Sequence, residues 1–134
     1  MDKNPEILCI GSILWDIIGR ANYIMNAGSD VPGKIKRLPG GVALNIAMAL
    51  RQFGFKPALL SVVGGDQQGE ELIKVIEKLN LITCYLHRSN SLPTDQYMAI
   101  EGRNGLIAAI ADAYSLETAG NQILKPVSYT HLTL

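Results

Sequence analysis

The chain has 134 residues, of which 48% are hydrophobic and 18% charged, and its twelve basic and twelve acidic side chains cancel. This length and composition indicate one globular domain, and the balanced charge gives no reason to expect binding to nucleic acid or to an anionic membrane. No apolar stretch approaches the roughly 18 residues of a membrane span, and residues 1–6 lack the pattern of a signal peptide. We therefore expect a cytoplasmic protein.

Two apolar runs open the chain. Residues 7–11 form a continuous apolar run ending in glycine, which indicates a buried parallel strand. A second run, residues 13–18, carries Asp16 in its middle, where a carboxylate is costly unless it is hydrogen-bonded. Asp16 is either an exposed-face residue of an edge strand or an acid held to accept hydrogen bonds from ligand hydroxyls. Residues 21–36 are polar and turn-rich, which predicts a long loop or a protruding flap.

Gly40 and Gly41 precede a predicted helix that ends near Gly54. The glycine pair lets the backbone take unusual dihedrals and lets a ligand approach closely. We expect the unpaired N–H groups of the helix start, and the amide of Asn45, to face the same opening. Such a turn suits a polyhydroxylated small molecule. The alternatives are a plain strand-to-helix turn and, for Asn45, a local backbone hydrogen bond. Helical spacing predicts that the core face of this helix consists of Ile46, Ala49, Leu50 and Phe53.

The next elements alternate between strand and helix. Residues 57–63 predict a buried strand, Asp66 is a good N-cap for a helix that ends near Asn80, and residues 82–87 predict another strand. The core face of that helix is predicted to consist of Leu72, Ile73, Ile76 and Leu79. The alternation predicts a parallel α/β sheet.

The pattern then changes to a hairpin. Residues 96–101 and 106–111 flank a four-residue turn that contains Asn-Gly, and with the early flap they predict a small second sheet. Residues 115–125 predict a short helix that Pro126 ends. Residues 127–134 fit no clear continuation.

No metal site is expected. His87 and His131 have no His, Cys or carboxylate partner at ligand spacing. Cys9 and Cys84 both lie in apolar runs and are expected to be buried free thiols.

With these motifs in place, the chain resembles the ribokinase-like (PfkB) family of carbohydrate and nucleoside kinases. The resemblance rests on three motifs: Gly40-Gly41-x-Ala43-x-Asn45-x-Ala47 followed by Gly54 and Gly64, Gly11-Ser12 followed by Asp16, and Gly64-Gly65-Asp66-x-x-Gly69. Within the family it is most similar to pseudouridine kinases, through Pro32-Gly33-Lys34-Ile35-Lys36 with Pro39 to Val42, Thr94-x-x-Tyr97 and Ala108 to Asp112. It departs from them at Leu14, at Ala43-Leu44 and at Ala113.

The resemblance implies an α/β fold with a parallel βαβ sheet and a small β lid, truncated after the lid. Residues 1–126 would be the N-terminal substrate-binding part, with lid segments near 13–38 and 94–112, and residues 127–134 an unrelated tail that is an artefact. The implied substrate-binding residues are Asp16, Gly40, Gly41 and Asn45, and the implied lid contacts are Lys36, Thr94 and Asp112.

The implied activity is transfer of the ATP γ-phosphoryl group to a primary hydroxyl, with pseudouridine as the expected acceptor. The family's catalytic base is an Asp in a Gly-x-Gly-Asp turn, which this sequence lacks, and the residues that bind ATP and Mg²⁺ are also missing. This chain alone is therefore expected to be inactive, and the full-length protein to dimerise through its lid. The alternatives are another PfkB sugar kinase, of ribokinase or fructokinase type, and a non-catalytic sugar- or nucleoside-binding module.

Overall fold

The computed structural model describes residues 4–128. Its elements in chain order are β1 (Ile7–Ile10), β2 (Leu14–Arg20), β3 (Lys34–Gly40), α1 (Val42–Gln52), β4 (Pro57–Leu60), β5 (Val62–Gly64), α2 (Gln67–Lys78), β6 (His87–Ser89), β7 (Gln96–Gly102), β8 (Gly105–Asp112), α3 (Ser115–Ala119), a 3₁₀ helix (Gly120–Leu124) and α4 (Lys125–Ser128). None of the helices within residues 4–128 is long and apolar enough to cross a membrane.

Strands β1, β4, β5 and β6 form two adjoining two-stranded sheets, which we together call the main sheet. β1 pairs with β4 and β5 pairs with β6, both in parallel, and β4 and β5 are separated only by Ser61. Each side chain of β4 is buried, and alternate residues point to opposite faces. Leu59 packs toward α1 and α2, while Leu60 packs toward Ile82, Tyr85 and the 3₁₀ helix. The predicted parallel α/β sheet is confirmed.

A second sheet, the lid sheet, has the strand order β3-β2-β7-β8. β2 is antiparallel to β3 and parallel to β7, and β7 and β8 form an antiparallel hairpin. The predicted hairpin and second sheet are confirmed. One detail was wrong: residues 34–36, assigned to the flap, belong to β3. β2 is an inner strand, which removes the edge-strand alternative for Asp16.

Of the four residues predicted for the core face of α1, Leu50 alone packs against the core. Ala43, Leu44 and Ala47 are fully buried against β1 and β4, whereas Ile46 and Phe53 are 51% and 80% exposed. Ala49 is also exposed. This helix is apolar on both sides, so its period alone could not identify the face that packs on the sheet. In α2 the prediction is confirmed for Leu72 and Ile76, which are buried, and for Ile73, which packs against the core, while Leu79 is 37% exposed.

Four local predictions in the second half of the chain were also wrong. Ile82 makes only an isolated bridge to Ala58, because a turn closed by the Leu86 N–H and the Thr83 carbonyl delays the strand to His87–Ser89. This turn leaves Cys84 exposed, although Cys9 is buried as predicted.

The predicted helix over residues 115–125 is interrupted at Gly120, which has a φ of 53°. Pro126 does not end it. This residue lies in the first turn of α4, where the N–H that proline lacks is not needed. Most of the predicted tail, residues 129–134, lies outside the described residues.

Candidate functional site

The turn into α1 is built by Ser12 and Gly41. The Ser12 hydroxyl accepts a hydrogen bond from the Val42 N–H at 3.0 Å, and the Ser12 carbonyl accepts one from the Ala43 N–H at 3.1 Å. Gly41 has a φ of 99°, and a Cβ there would lie 2.5 Å from the Ser12 carbonyl oxygen. The turn thus requires glycine. The prediction that these first N–H groups face a ligand was wrong for Val42 and Ala43, since Ser12 already occupies them.

Asp16 lies on β2 with its carboxylate against Gly40. A Cβ at Gly40 would overlap Oδ2 of Asp16, so glycine at this position makes room for the carboxylate. Asp16 is half-buried, and burial raises its pKa above the ordinary value. Its carboxylate makes no hydrogen bond or ion pair to any other residue within 4–128. An acid in this position costs folding free energy and gains nothing from the described part of the chain, which favours a role in ligand binding over a structural one.

Asn45 completes the cluster at the same turn. It lies one turn into α1, and its backbone N–H donates to the Gly41 carbonyl at 2.9 Å. Its side chain is exposed and, because helical Cα–Cβ bonds tilt toward the N-terminus, is directed back toward the glycines. The structure therefore brings Asp16, Gly40, Gly41 and Asn45 to one junction between the main sheet and the lid sheet.

A cavity of about 830 Å³ lies on the lid sheet, and none of the four residues of this cluster lines it. Leu38, which is opposite Asp16 in the β2–β3 register, lines it together with Ile18. Lys34 and Lys36 also line the cavity, and Lys36 is opposite Ile18 on the face that carries Asp16. The expected lid contact Lys36 is thus on the Asp16 side of the lid sheet.

The other two expected lid contacts lie elsewhere. Thr94 is 7% exposed, and its hydroxyl is held between Asp66 and the Gly64 N–H. Asp112 is opposite Gln96 at the end of β8, where it accepts a 3.4 Å hydrogen bond from the Gln96 amide. Since neighbouring strand residues alternate in direction, Asp112 lies on the face opposite to Asp16.

Among residues 4–128, no group of three or more His, Cys, Asp or Glu side chains is arranged to hold a metal ion.

A family model described as "pfkB family carbohydrate kinase" matches residues 4–132. The chain belongs to this family of kinases. It is 34% identical to the pseudouridine kinase of Escherichia coli (strain K12) over 116 residues, which is 84% of this chain and 36% of that protein. It is also 34% identical over 126 residues to a protein of the same organism named uncharacterized sugar kinase YeiI, covering 93% of this chain and 35% of that protein.

The solved structures agree with the fold. A carbohydrate kinase from Agrobacterium tumefaciens superimposes with a TM-score of 0.73 at 28% identity, covering 89% of this chain and 39% of that one. The ribokinase-like α/β fold expected from the motifs is therefore confirmed. The chain spans about a third of the length of the curated relatives that it matches.

Sequence reasoning missed the residues that build this junction from a distance. Ser12 is 30 residues from Val42, whose N–H donates a hydrogen bond to its hydroxyl, and Thr94 is 28 residues from Asp66. A serine beside a glycine and an Asp before a helix are both visible in the sequence, but nothing local indicates that their partners lie so far along the chain.

Proposed function

We propose that this chain is the substrate-binding and lid part of an ATP-dependent kinase that phosphorylates a primary hydroxyl of a sugar or nucleoside. The observation that carries the proposal is the Asp16 carboxylate, half-buried and without a partner among residues 4–128, against a glycine turn in a pfkB-family chain. Kinases of this family use ATP, and a small-molecule carbohydrate or nucleoside would be the acceptor. Such a role agrees with the cytoplasmic location expected from the sequence.

In this proposal, Asp16, Gly40, Gly41 and Asn45 hold the acceptor. The ionised Asp16 would accept hydrogen bonds from two ligand hydroxyls, and the bare glycine backbone lets the sugar ring approach the turn. Asn45 can donate and accept at the same opening. Holding the acceptor in one orientation supplies much of the barrier reduction in phosphoryl transfer, since little covalent chemistry is left for the protein.

The lid sheet would cover the bound acceptor and exclude water, which limits ATP hydrolysis. Lys36 would contact the acceptor from the Asp16 face. Thr94, whose hydroxyl is already held by Asp66 and the Gly64 N–H, would support the lid from its base, and Asp112 lies at the same end of the lid sheet on the face opposite to Asp16. The chemical base is not supplied by these 134 residues, because no Gly-x-Gly-Asp motif occurs in them. ATP and Mg²⁺ would therefore be bound by residues outside this sequence, and this chain alone is inactive.

Pseudouridine is the acceptor that we propose, because of the similarity to a pseudouridine kinase. The cavity on the lid sheet, which Leu38 lines opposite Asp16, is large enough for a base as well as a sugar. The test is ATP-dependent phosphorylation of pseudouridine, ribose, fructose and adenosine by the full-length gene product that carries this segment. We expect turnover with pseudouridine above the other three. Turnover with ribose or fructose instead would favour a ribokinase- or fructokinase-type enzyme, and no turnover with any of them would contradict the kinase proposal.

A non-catalytic nucleoside-binding module is the second candidate, because the site residues are present while the base is not. Isothermal titration calorimetry on residues 1–126 separates the two. A folded product that binds pseudouridine, together with a full-length product that shows no turnover, would favour the module.

We also propose that the full-length protein forms a homodimer through the lid sheet. The face of the lid sheet opposite to Asp16 carries exposed apolar side chains, including Ile35 at 79% and Ile110 at 69% exposure. Analytical ultracentrifugation should show a dimer that Ile35→Lys dissociates, whereas Phe53→Lys on α1 should leave it intact. A monomeric wild-type protein would contradict the dimer.

A further inference from the structure

The first turn of α2 contacts two strands of the lid sheet through side chains. The indole Nε1–H of Trp15, on β2, donates to the Gln68 carbonyl at 2.8 Å. Arg37, on β3, lies 4.0 Å above the Trp15 ring and forms an ion pair with Glu71 at 2.7 Å. These contacts join the lid strands β2 and β3 to the start of one main-sheet helix.

Asp66 connects Thr94, in the segment that precedes β7, to the first turn of α2. One oxygen of Asp66, Oδ1, caps the helix by accepting from the Gly69 N–H at 2.9 Å, and it also accepts from the Thr94 hydroxyl at 2.5 Å. Oδ2 accepts from the Thr94 N–H at 2.9 Å. An N-cap needs only one carboxylate oxygen. The second oxygen serves Thr94, and the Thr94 hydroxyl in turn accepts from the Gly64 N–H at 3.1 Å.

A short series of backbone contacts leads from Thr94 to Asp16. The next residue, Asp95, is 3% exposed, and its carbonyl accepts from the Trp15 N–H at 3.1 Å. Its side chain accepts from the Ser115 N–H at 2.9 Å, which joins the two ends of the β7–β8 hairpin. Since Trp15 directly precedes Asp16, the position of Thr94 fixes where β2 presents the Asp16 carboxylate.

We propose that Asp66 is a positioning residue that, through Thr94, holds the lid sheet and with it Asp16 in the geometry that binds the acceptor. This inference rests on the proposed function, because it assumes that Asp16 contacts the acceptor. Burial raises the pKa of Asp66, but the hydrogen bonds from Thr94 and Gly69 outweigh that effect and keep the pKa below its ordinary value. The carboxylate is therefore ionised at neutral pH and available as a double acceptor.

Substitutions at two positions separate the hydrogen bonds between Asp66 and Thr94 from the capping of α2 by Asp66. Asp66→Asn keeps an oxygen for the Gly69 N–H, since Asn caps helices as well as Asp, but its amide nitrogen cannot accept from the Thr94 N–H. Thr94→Val removes the hydroxyl at nearly constant volume, while Thr94→Ser retains it. Ile76→Val, in the main core, serves as a control that lowers stability while leaving Asp66 and Thr94 unchanged.

The test measures acceptor and ATP kinetics of the full-length gene product, together with amide hydrogen exchange in β2 and β7. We expect Asp66→Asn and Thr94→Val to raise the acceptor KM about tenfold, by lowering the fraction of molecules with a competent lid. The KM for ATP should not change. Exchange in β2 and β7 should accelerate, whereas exchange in β1 and β4 should not. Thr94→Ser should stay within about twofold of the wild type in acceptor KM.

The proposal is overturned if Asp66→Asn leaves both acceptor KM and lid exchange unchanged, or if Ile76→Val changes them as much. A wild-type protein that phosphorylates no acceptor would instead contradict the proposed function. The exchange comparison would still decide whether Asp66 positions the lid sheet.

Discussion

The main sheet and the lid sheet differ in how much of each strand they bury. All four residues of β4 are buried, whereas five of the seven residues of β3 and seven of the eight residues of β8 are exposed. A strand covered on both faces must be apolar throughout, so the main sheet has little room for polar side chains. The outer strands of the lid sheet, β3 and β8, are largely exposed within the described residues, so this sheet can carry polar side chains such as Lys36 at low cost. The main sheet therefore supplies most of the stability, and the lid sheet supplies the ligand-binding groups.

The largest stability effect is expected at the junction of the two sheets. Gly41→Ala should lower the free energy of unfolding by about 3 kcal/mol or more, because it adds a clash with the Ser12 carbonyl to the strain of a positive φ. Gly54 is the matched control, since its φ is 89° and a Cβ there meets nothing within 4 Å. Gly54→Ala should cost only about 1 kcal/mol. Urea denaturation measures both, and equal losses would show that the Ser12 contact adds nothing.

The main sheet should respond strongly to a cavity and the lid sheet weakly. Leu59 is fully buried, and Leu59→Ala should cost about 3 kcal/mol in the free energy of unfolding. Leu38, on the Asp16 face of the lid sheet, is 47% exposed, and Leu38→Ala should change it by less than about 1 kcal/mol. The same denaturation experiment compares the two. Similar losses at both positions would contradict the difference between the sheets.

A smaller effect should appear on acidification. Because Asp66 has a lowered pKa in the folded state, its stabilising contribution is complete above the pKa of the unfolded chain and is lost as the pH falls through the folded value. The difference in thermal stability between wild type and Asp66→Asn should thus be largest near pH 7 and shrink below about pH 4. Thermal denaturation from pH 7 to pH 3 tests this. A difference that stays constant with pH would show that the hydrogen bonds to Asp66 do not depend on its charge.

Local patterns were sufficient to predict the main sheet, the β7–β8 hairpin and the N-cap at Asp66, since strand alternation, turn residues and caps act over a few positions. The buried face of α1 was not predictable, because Ile46 and Phe53 are as apolar as the Leu44 that packs on the sheet. Gly120 interrupts the predicted helix over residues 115–125, and the turn before His87 shortens the predicted strand over residues 82–87. Periodicity alone does not show where an element is broken.

The candidate site was predictable only in its composition. Asp16, Gly40 and Asn45 could be selected because their residue types suit hydroxyl groups and match a family signature. Their spatial arrangement depends on contacts that the sequence does not display, such as the antiparallel pairing that brings Gly40 beside Asp16. The hydrogen bonds between Asp66 and Thr94 likewise join two segments that lie far apart in the chain.

Asp16→Asn tests most directly whether Asp16 is kept for a ligand rather than for the fold. Burial raises the pKa of Asp16, so any favourable contribution to folding is present below the pKa of the unfolded chain and is lost as the pH rises through the folded value. At pH 7 the ionised carboxylate opposes folding, and the amide variant should be as stable as the wild type or more stable, by up to about 1 kcal/mol.

The same variant of the full-length product should lose on the order of 2–4 kcal/mol of transition-state stabilisation, measured as kcat/KM for the acceptor. Glu77→Gln, an exposed carboxylate-to-amide change on α2, should alter neither quantity. We therefore predict that Asp16→Asn separates stability from activity. A wild-type kcat/KM, or a loss of activity matched by a loss of stability, would contradict the assignment of Asp16 to the acceptor site.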